Sequence, residues 1–404
     1  MPRLTILTQY FPPEMGAPQA RLSELGERLV DFGWDVDVLT ALPNYPEGKV
    51  RAGYAPWKPV VEMVGRLRTA RVPLRPSQKG FVSRLGCYFS FAASASALGP
   101  SLLPRPDLLF VESPPLFIGY AAKALSLRWR CPYIFNVSDL WPESAIRMGV
   151  VKPGAATRLA EQLEVSLYKG AAGVTGQSSE IIEAVRAKAP STPTELVTNG
   201  VDPQRWGPSR VTPEAKALLG DAPGPIFVFA GLLGLAQGLD AILDLAASLP
   251  ASMPGRFVLI GDGPVREKLQ RRIADEGISR VRILPAQPRE AIPALLAGAD
   301  AAIISLGMSI PGAVPSKIYE AMASSLPILL IADGEPARRV EEAGCGRASD
   351  PGDAKTLQRN FELIASNFDL RKSLGASGRK AAETTYDRTS IARRLDVFLR
   401  ARLQ

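Results

Sequence analysis

Residues 3–40 read RLTILTQYFPPEMGAPQARLSELGERLVDFGWDVDVLT. Leu4–Thr8 is a short run of apolar and β-branched side chains, Ala20–Phe32 repeats its apolar residues at helical spacing, and Val36–Leu39 is apolar again. A strand, a helix and a second strand of these lengths fit a crossover between parallel strands, the building unit of a doubly wound α/β sheet. The same alternation continues outward from this stretch. Leu108–Val111, Pro132–Val137 and Gly173–Thr175 extend the first series. Ile226–Ala230, Phe257–Ile260, Val281–Leu284, Ala301–Ile304 and Ile328–Ile331, each followed by a helical pattern, form a second. Between the two series Pro190, Pro193, Asn199-Gly200, Pro203 and Pro208 cluster as turn punctuation. The expectation is an N-terminal Rossmann-like domain over 1–200, a C-terminal one over 201–383, and an Arg-bearing amphipathic helix in 384–404 that returns to the first domain.

Length and composition agree with that division. A chain of 404 residues exceeds what one hydrophobic core serves, and 46% apolar with 22% charged residues describes packed domains, not a disordered chain. Three scattered cysteines (Cys87, Cys131, Cys345) build neither a disulfide framework nor a Cys-rich zinc site. Histidine is absent, which removes Ser-His-Asp and Cys-His nucleophiles, His-ligated metals and any imidazole proton transfer. The net charge of +8 favours anionic partners. The opening MPRLTILTQYFPP is too short and too interrupted for a signal peptide or anchor, and 85–103 is too polar to span a bilayer, so a cytoplasmic location is expected.

In doubly wound sheets ligands bind outside the carboxyl ends of the strands, so the loops after strands hold the candidate site. After the first strand, Tyr10–Gln19 turns into a helix with Gly16 at the bend, where backbone can approach an anion. Asn136–Ser144 places Asp139 after an apolar strand, where a carboxylate binds a sugar hydroxyl or accepts a proton; capping of the next helix by Asp139 or Glu143 is the alternative. In the second half Gly231, Gly234 and Gly238, then Gly263, open turns after strands. Gly312–Ala323 (GAVPSKIYEAMA) combines amides, a hydroxyl, a cation and a carboxylate three residues on, a set that could serve a diphosphate and a ribose diol; a Lys–Glu pair on a surface helix is the alternative. Asp35-Val36-Asp37 matches a metal-binding D-x-D, but its place at the start of a strand argues against a metal. Asn136-Val137-Ser138 matches a glycosylation sequon inside an apolar strand and reads as coincidence. Residues 51–90 carry eight Lys/Arg against Glu62 alone. With the small-residue apolar stretch that follows, they read either as a basic face for an anionic membrane, with Arg66, Arg68 and Arg71 at its centre, or as a solvated basic loop and an ordinary helix.

Together these segments resemble glycosyltransferase family 4, the retaining GT-B enzymes, and in particular the bacterial O-antigen, capsule and exopolysaccharide branch typified by N-acetylfucosaminyltransferase-like proteins. The resemblance is carried by YFPPE, LPNYPEG (42–48), ESPPLF (112–117), DLWPES, TNGVD (198–202), AQGLD, GDGP, VPSKIYEAMA and DGEPA. It implies that Gly16 lies against the donor diphosphate, that Gly231, Gln237, Gly263, Ala313 and Val314 line the donor site, that Ser316 and Lys317 hold phosphates and that Glu320 binds the ribose. Backbone at Pro285-Ala286-Gln287 would meet the base. The sequence departs from the family in three places. Gly312 stands where the first Glu of the usual pair belongs, Leu232 and Gln237 replace the Arg and Lys about the glycine turn, and Glu112-Ser113-Pro114 occupies the neighbourhood of the missing His. Glu112 thus joins Asp139 as a candidate catalytic residue, with Asp139 as an orienter of the acceptor, and part of the diphosphate charge is left to an arginine that the sequence does not place.

The implied activity is a retaining, metal-independent transfer from a nucleotide-sugar, expected to be a UDP-sugar, with no cofactor. The acceptor would be a polyprenyl-diphosphate-linked sugar or a saccharide, taken at the inner face of the cytoplasmic membrane in surface polysaccharide synthesis. Rival readings are a catalytically silent GT-B-like binding or scaffold protein and a UDP-sugar 2-epimerase, the latter disfavoured by the absence of His. Nucleic acid is not an expected partner, because the cations at 51–90 have no binding module around them.

Overall fold

The computed structural model describes residues 1–77, 80–221 and 224–403. Lys79, one of the cations counted above, and Gln404, at the end of the expected terminal helix, lie outside them. The chain divides into two compact units. The first comprises Met1–Asn199, Pro311–Ala313 and Thr389–Gln404; the second comprises Gly200–Ile310 and Val314–Arg388.

The first unit is built on strands β1 (Arg3–Leu7), β2 (Asp35–Ala41), β3 (Val60–Val64), β4 (Leu67–Val72), β5 (Leu108–Ser113), β6 (Tyr133–Val137), β7 (Gly173–Gly176) and β8 (Thr194–Leu196). They form one sheet in the order β3-β4-β2-β1-β5-β6-β7-β8, parallel except for β3. In the centre Ile6 lies beside Val38 on β2 and Phe110 on β5. Leu4, Ile6 and Leu7 are all fully buried, as near-continuous apolar strands must be when helices cover both faces. On one face the helix Ala17–Asp31 contributes Leu22, Leu25 and Leu29, and the terminal helix Arg388–Arg400 adds Ile391, Leu395, Phe398 and Leu399 to the same core. The indole Nε1 of Trp34 donates to Asp396 Oδ1 at 2.6 Å and fixes that helix. The other face is closed by the helices Phe81–Leu102 and Ile118–Trp129.

The second unit carries β9 (Ile226–Ala230), β10 (Arg256–Ile260), β11 (Val281–Leu284), β12 (Ala301–Ser305), β13 (Ile328–Ile331) and β14 (Gly346–Ser349). Their order is β11-β10-β9-β12-β13-β14, parallel throughout. The order reverses at β9, so the loop after β9 opens at a switch point, where doubly wound sheets bind ligands.

Within 51–84 the structure differs from the sequence expectation of a basic loop. β3 and β4 form an antiparallel pair that adds two strands to the sheet, with Val61 opposite Ala70. Arg68 and Arg71 sit inside β4, and charge within a six-residue strand hides its apolar alternation. The short strands β8 and β14 also escaped the pattern, having only three and four residues. Residues 85–102 of the small-residue stretch fall in the 22-residue helix Phe81–Leu102, and among the described residues no helix is long and apolar enough to cross a membrane.

Candidate functional site

In the second unit β9 is followed by Gly231, whose backbone holds φ at +145°, a conformation that favours glycine. A Cβ there would come within 2.4 Å of Lys317 Cε. The glycine turn thus lets Lys317, from the helix Ser316–Ala323, lie directly against the loop. Lys317 Nζ stands 4.0 Å from the centroid of Phe229. Burial lowers the ammonium to about 8, and the Glu320 carboxylate pulls partly the other way. The first turn of this helix follows Pro315, which supplies no side-chain cap; the amide of Ile318 donates to the Pro315 carbonyl at 3.1 Å, and the helix start is where an anion is favoured.

Glu320 follows Lys317 by three residues, on the same face of the helix. Burial pushes its carboxyl up, while the charges of Arg289, Lys317 and Arg388 pull it down. A cavity of about 310 Å³ opens against Glu320, walled by Trp206, Arg205, Arg210, Arg289 and Arg388. Arg205 pairs with Asp202 at 3.5 Å. A carboxylate that accepts from hydroxyls, guanidinium donors matched to phosphate oxygens and an indole face make a set suited to a nucleotide. These arginines lie at 205, 210, 289 and 388, far apart in the chain, and no local motif announces them. They are cations that the sequence alone could not place beside Glu320.

The other expected donor residues divide between the units. Ser316 and Val314 belong to the second unit, but Ala313 groups with the first. Gln237 closes the short turn Leu235–Gln237, and its side-chain carbonyl is buried without a hydrogen-bond partner. Gly263 follows β10 in the neighbouring turn, where the amide of Leu233 donates to the carbonyl of Asp262 at 2.9 Å. After β11 the carbonyl of Pro285 accepts from Gln287 Nε2 at 3.1 Å.

In the first unit Gly16 immediately precedes the helix Ala17–Asp31, which no side chain caps. Glu14, not singled out from sequence, holds this loop: its carboxylate accepts the amides of Phe11 at 3.2 Å and of Asn44 and Tyr45 at 2.8 Å. It joins the loop after β1 to the loop after β2. Asp139 lies two residues beyond β6, where burial raises its carboxyl. The helix that follows, Glu143–Arg147, has Pro142 at its N-cap, so neither Asp139 nor Glu143 serves there.

Glu112 requires a correction. Its Oε1 accepts from Arg21 Nη2 at 2.5 Å and Ser138 Oγ at 2.6 Å, and its Oε2 from Asn136 Nδ2 at 2.6 Å. Asn136 Oδ1 in turn accepts from Thr175 at 2.6 Å. With both oxygens occupied and an arginine in contact, Glu112 anchors β5, β6 and β7 to one another; it is not placed to take a proton. Asn136, at the heart of this network, is fully buried, so the sequon is indeed fortuitous.

Arg66, Arg68 and Arg71 also depart from expectation. Arg66 reaches Glu27 at 2.6 Å and Asp31 at 2.7 Å, and Arg68 reaches Asp37 at 2.7 Å. Arg71 is fully buried, pairs with Glu62 at 2.5 Å and donates to the carbonyl of Pro12. Their charges are matched at contact distance, and they fasten the sheet edge. The D-x-D carboxylates are committed likewise, Asp35 to Arg3 at 2.5 Å and Asp37 to Arg68.

Residues 16–200 match the family model described as "Glycosyl transferase 4-like domain", and residues 213–381 that described as "Glycosyl transferases group 1". The probable glycosyltransferase WbjE of Pseudomonas aeruginosa is 28% identical over 294 residues, which cover 70% of this chain and 69% of that protein. The putative colanic acid biosynthesis glycosyl transferase WcaI of Escherichia coli K12 is 24% identical over 409 residues, 95% of this chain and 96% of its own. Among solved structures, sucrose-phosphate synthase from Thermosynechococcus elongatus superposes with a TM-score of 0.74 at 18% identity over 99% of each chain. HepE of Anabaena, solved with UDP and glucose, gives 0.72 at 16% identity over 99% of this chain and 100% of its own.

Proposed function

Because the chain belongs to the group 1 glycosyltransferases, with a glycosyltransferase 4-like first half, we propose that it transfers a sugar from a UDP-sugar, with retention and without a metal, to a lipid-linked or saccharide acceptor of bacterial surface polysaccharide. The observation that carries this reading is the convergence of the Gly231 turn, Lys317 and Glu320 on one helix start, beside a cavity walled by arginines. UDP as the nucleotide is supported by the resemblance to HepE, solved with that ligand. The polysaccharide context is supported by the likeness to WcaI and WbjE.

In this mechanism the bond between the anomeric carbon and the phosphate oxygen breaks as the acceptor oxygen bonds to the same face. The acceptor proton passes to the leaving phosphate oxygen. Lys317 and the start of its helix meet the charge that grows on the diphosphate, so no imidazole is required. Glu320 orients the ribose and Asp139 orients the acceptor hydroxyl. Metal independence is favoured by the arginines that already occupy Asp35 and Asp37.

The test is UDP release from a panel of UDP-sugars, in magnesium and in EDTA. The expected result is release that EDTA leaves unchanged and that Lys317→Met abolishes. Absence of release from every UDP-sugar would favour a silent binding protein.

A further inference from the structure

We propose that the aromatic strip Tyr88, Phe89, Phe117, Tyr120 and Trp141 of the first unit is a docking face for the surface of an anionic lipid bilayer. The proposal deepens the lipid-linked acceptor reading above and rests on it. Phe117 is the hub, its ring 4.8 Å from Phe89, 5.2 Å from Trp141 and 6.5 Å from Tyr88, and Phe89 lies 5.9 Å from Tyr120. Despite that clustering, Phe89 and Tyr120 remain 45% and 49% exposed. Leu127, two helical turns beyond Tyr120 on the same helix face, is 80% exposed. The exposed residues on the same two helices include Ala93, Ala97 and Ala124. Rings with one apolar and one polar end gather at the headgroup level of a bilayer.

Charge selects the partner. Between residues 73 and 143 the sequence has Arg75, Lys79, Arg84, Arg105, Lys123, Arg128 and Arg130 against Asp107, Glu112, Asp139 and Glu143; Glu112 is buried against Arg21 and Glu143 pairs with Arg147. Arg75, Arg84 and Arg128 are exposed. Each such cation gains about 1 kcal/mol near an anionic leaflet. The same excess disfavours a second copy of this chain, because a twofold contact would set like charges against each other. The strip also adjoins Asp139, the expected acceptor residue of the first unit. Trp141 follows Asp139 by two residues and Phe117 lies in the loop after β5, so the rings begin at the carboxyl ends of the strands and lead outward. A lipid-linked sugar seated there would have its chain on the aromatic side.

The test is cosedimentation of the full chain with phosphatidylcholine vesicles, with and without phosphatidylglycerol. Wild type is expected to pellet with the anionic vesicles. Phe89→Ser/Tyr120→Ser is expected to lose about tenfold in affinity, the yield of two half-buried rings, whereas Arg66→Glu pellets like wild type and Phe89→Trp retains binding. Both rings are half-exposed, and circular dichroism of the double variant is expected to match wild type. Equal pelleting of the double variant overturns the proposal. So does wild type that ignores anionic vesicles, or a wild-type dimer that the double variant dissociates. UDP release from a UDP-sugar without acceptor reports on the donor site alone and is expected to be unchanged in the double variant, so a failure of the transferase reading is seen separately.

Discussion

Burial disfavours the charge of Lys317, which lies against the Gly231 turn with the Phe229 ring face beneath its ammonium as partial compensation. Its ammonium titrates near 8 in the folded protein against an ordinary 10.5. Between those values the unfolded chain holds a proton that the folded one lacks, so the stability of the ligand-free protein rises with pH across that window. Lys317→Met is expected to flatten that rise, which denaturant titrations at pH 8 and pH 10 measure. UDP affinity should move the opposite way, weakening as pH climbs through about 8 and the cation is lost. Gly231→Ala forces both an unfavourable φ and a collision with Lys317. It should weaken UDP binding at least about tenfold by calorimetry, for a stability cost of roughly 1–3 kcal/mol. At this scale the helix start VPSKIYEAMA was legible, because its chemistry is contiguous. The arginines about Glu320 were not, because only the fold brings residues 205, 210, 289 and 388 together. The family's first Glu is replaced by Gly312, whose φ of +73° favours glycine, so the departure is consistent with its local backbone.

Between elements, buried charge does the joining. Arg71 ties β4 to the carbonyl of Pro12 and to Glu62 on β3, and Glu14 ties the loops after β1 and β2. Removing one partner of a buried pair leaves the other uncompensated. Glu62 is 30% exposed, so water compensates it in part, and Arg71→Met should cost about 1–3 kcal/mol in urea unfolding, with unchanged UDP affinity, since Arg71 lies in the first unit. A loss of vesicle binding without that loss of stability would restore its expected role at a membrane. Sequence reading saw the cations of 51–90 and Glu62 but not their other acids, because Glu27, Asp31 and Asp37 belong to other elements. An arginine that counts as surface charge in sequence is here a fastener of the sheet edge. The alternation in residues 3–40 and its repeats did reveal the long parallel strands, whose apolar runs require no partner to be recognised.

At the scale of the molecule the doubly wound class of both halves follows from one rhythm, strand then helix, repeated on either side of a Pro-rich turn. The terminal helix closes the core of the first unit through Leu395 and Phe398. Leu395→Ala should destabilise by roughly 2–5 kcal/mol, as cavity-forming changes do, and leave the donor affinity of the folded protein intact. Followed by thermal unfolding and UDP titration, that result would show the two units bearing separate loads; a parallel loss of UDP affinity would show them coupled. The central claim concerns the donor site itself, and it is tested most directly by calorimetric titration of UDP, beside GDP, ADP and CMP, into wild type and Glu320→Ala. UDP binding that is indifferent to magnesium, stronger than that of the other nucleotides and at least about tenfold weaker in Glu320→Ala is the predicted result, given the worth of a charged hydrogen bond. Failure of every nucleotide to bind, or equal UDP affinity in the variant, would contradict it.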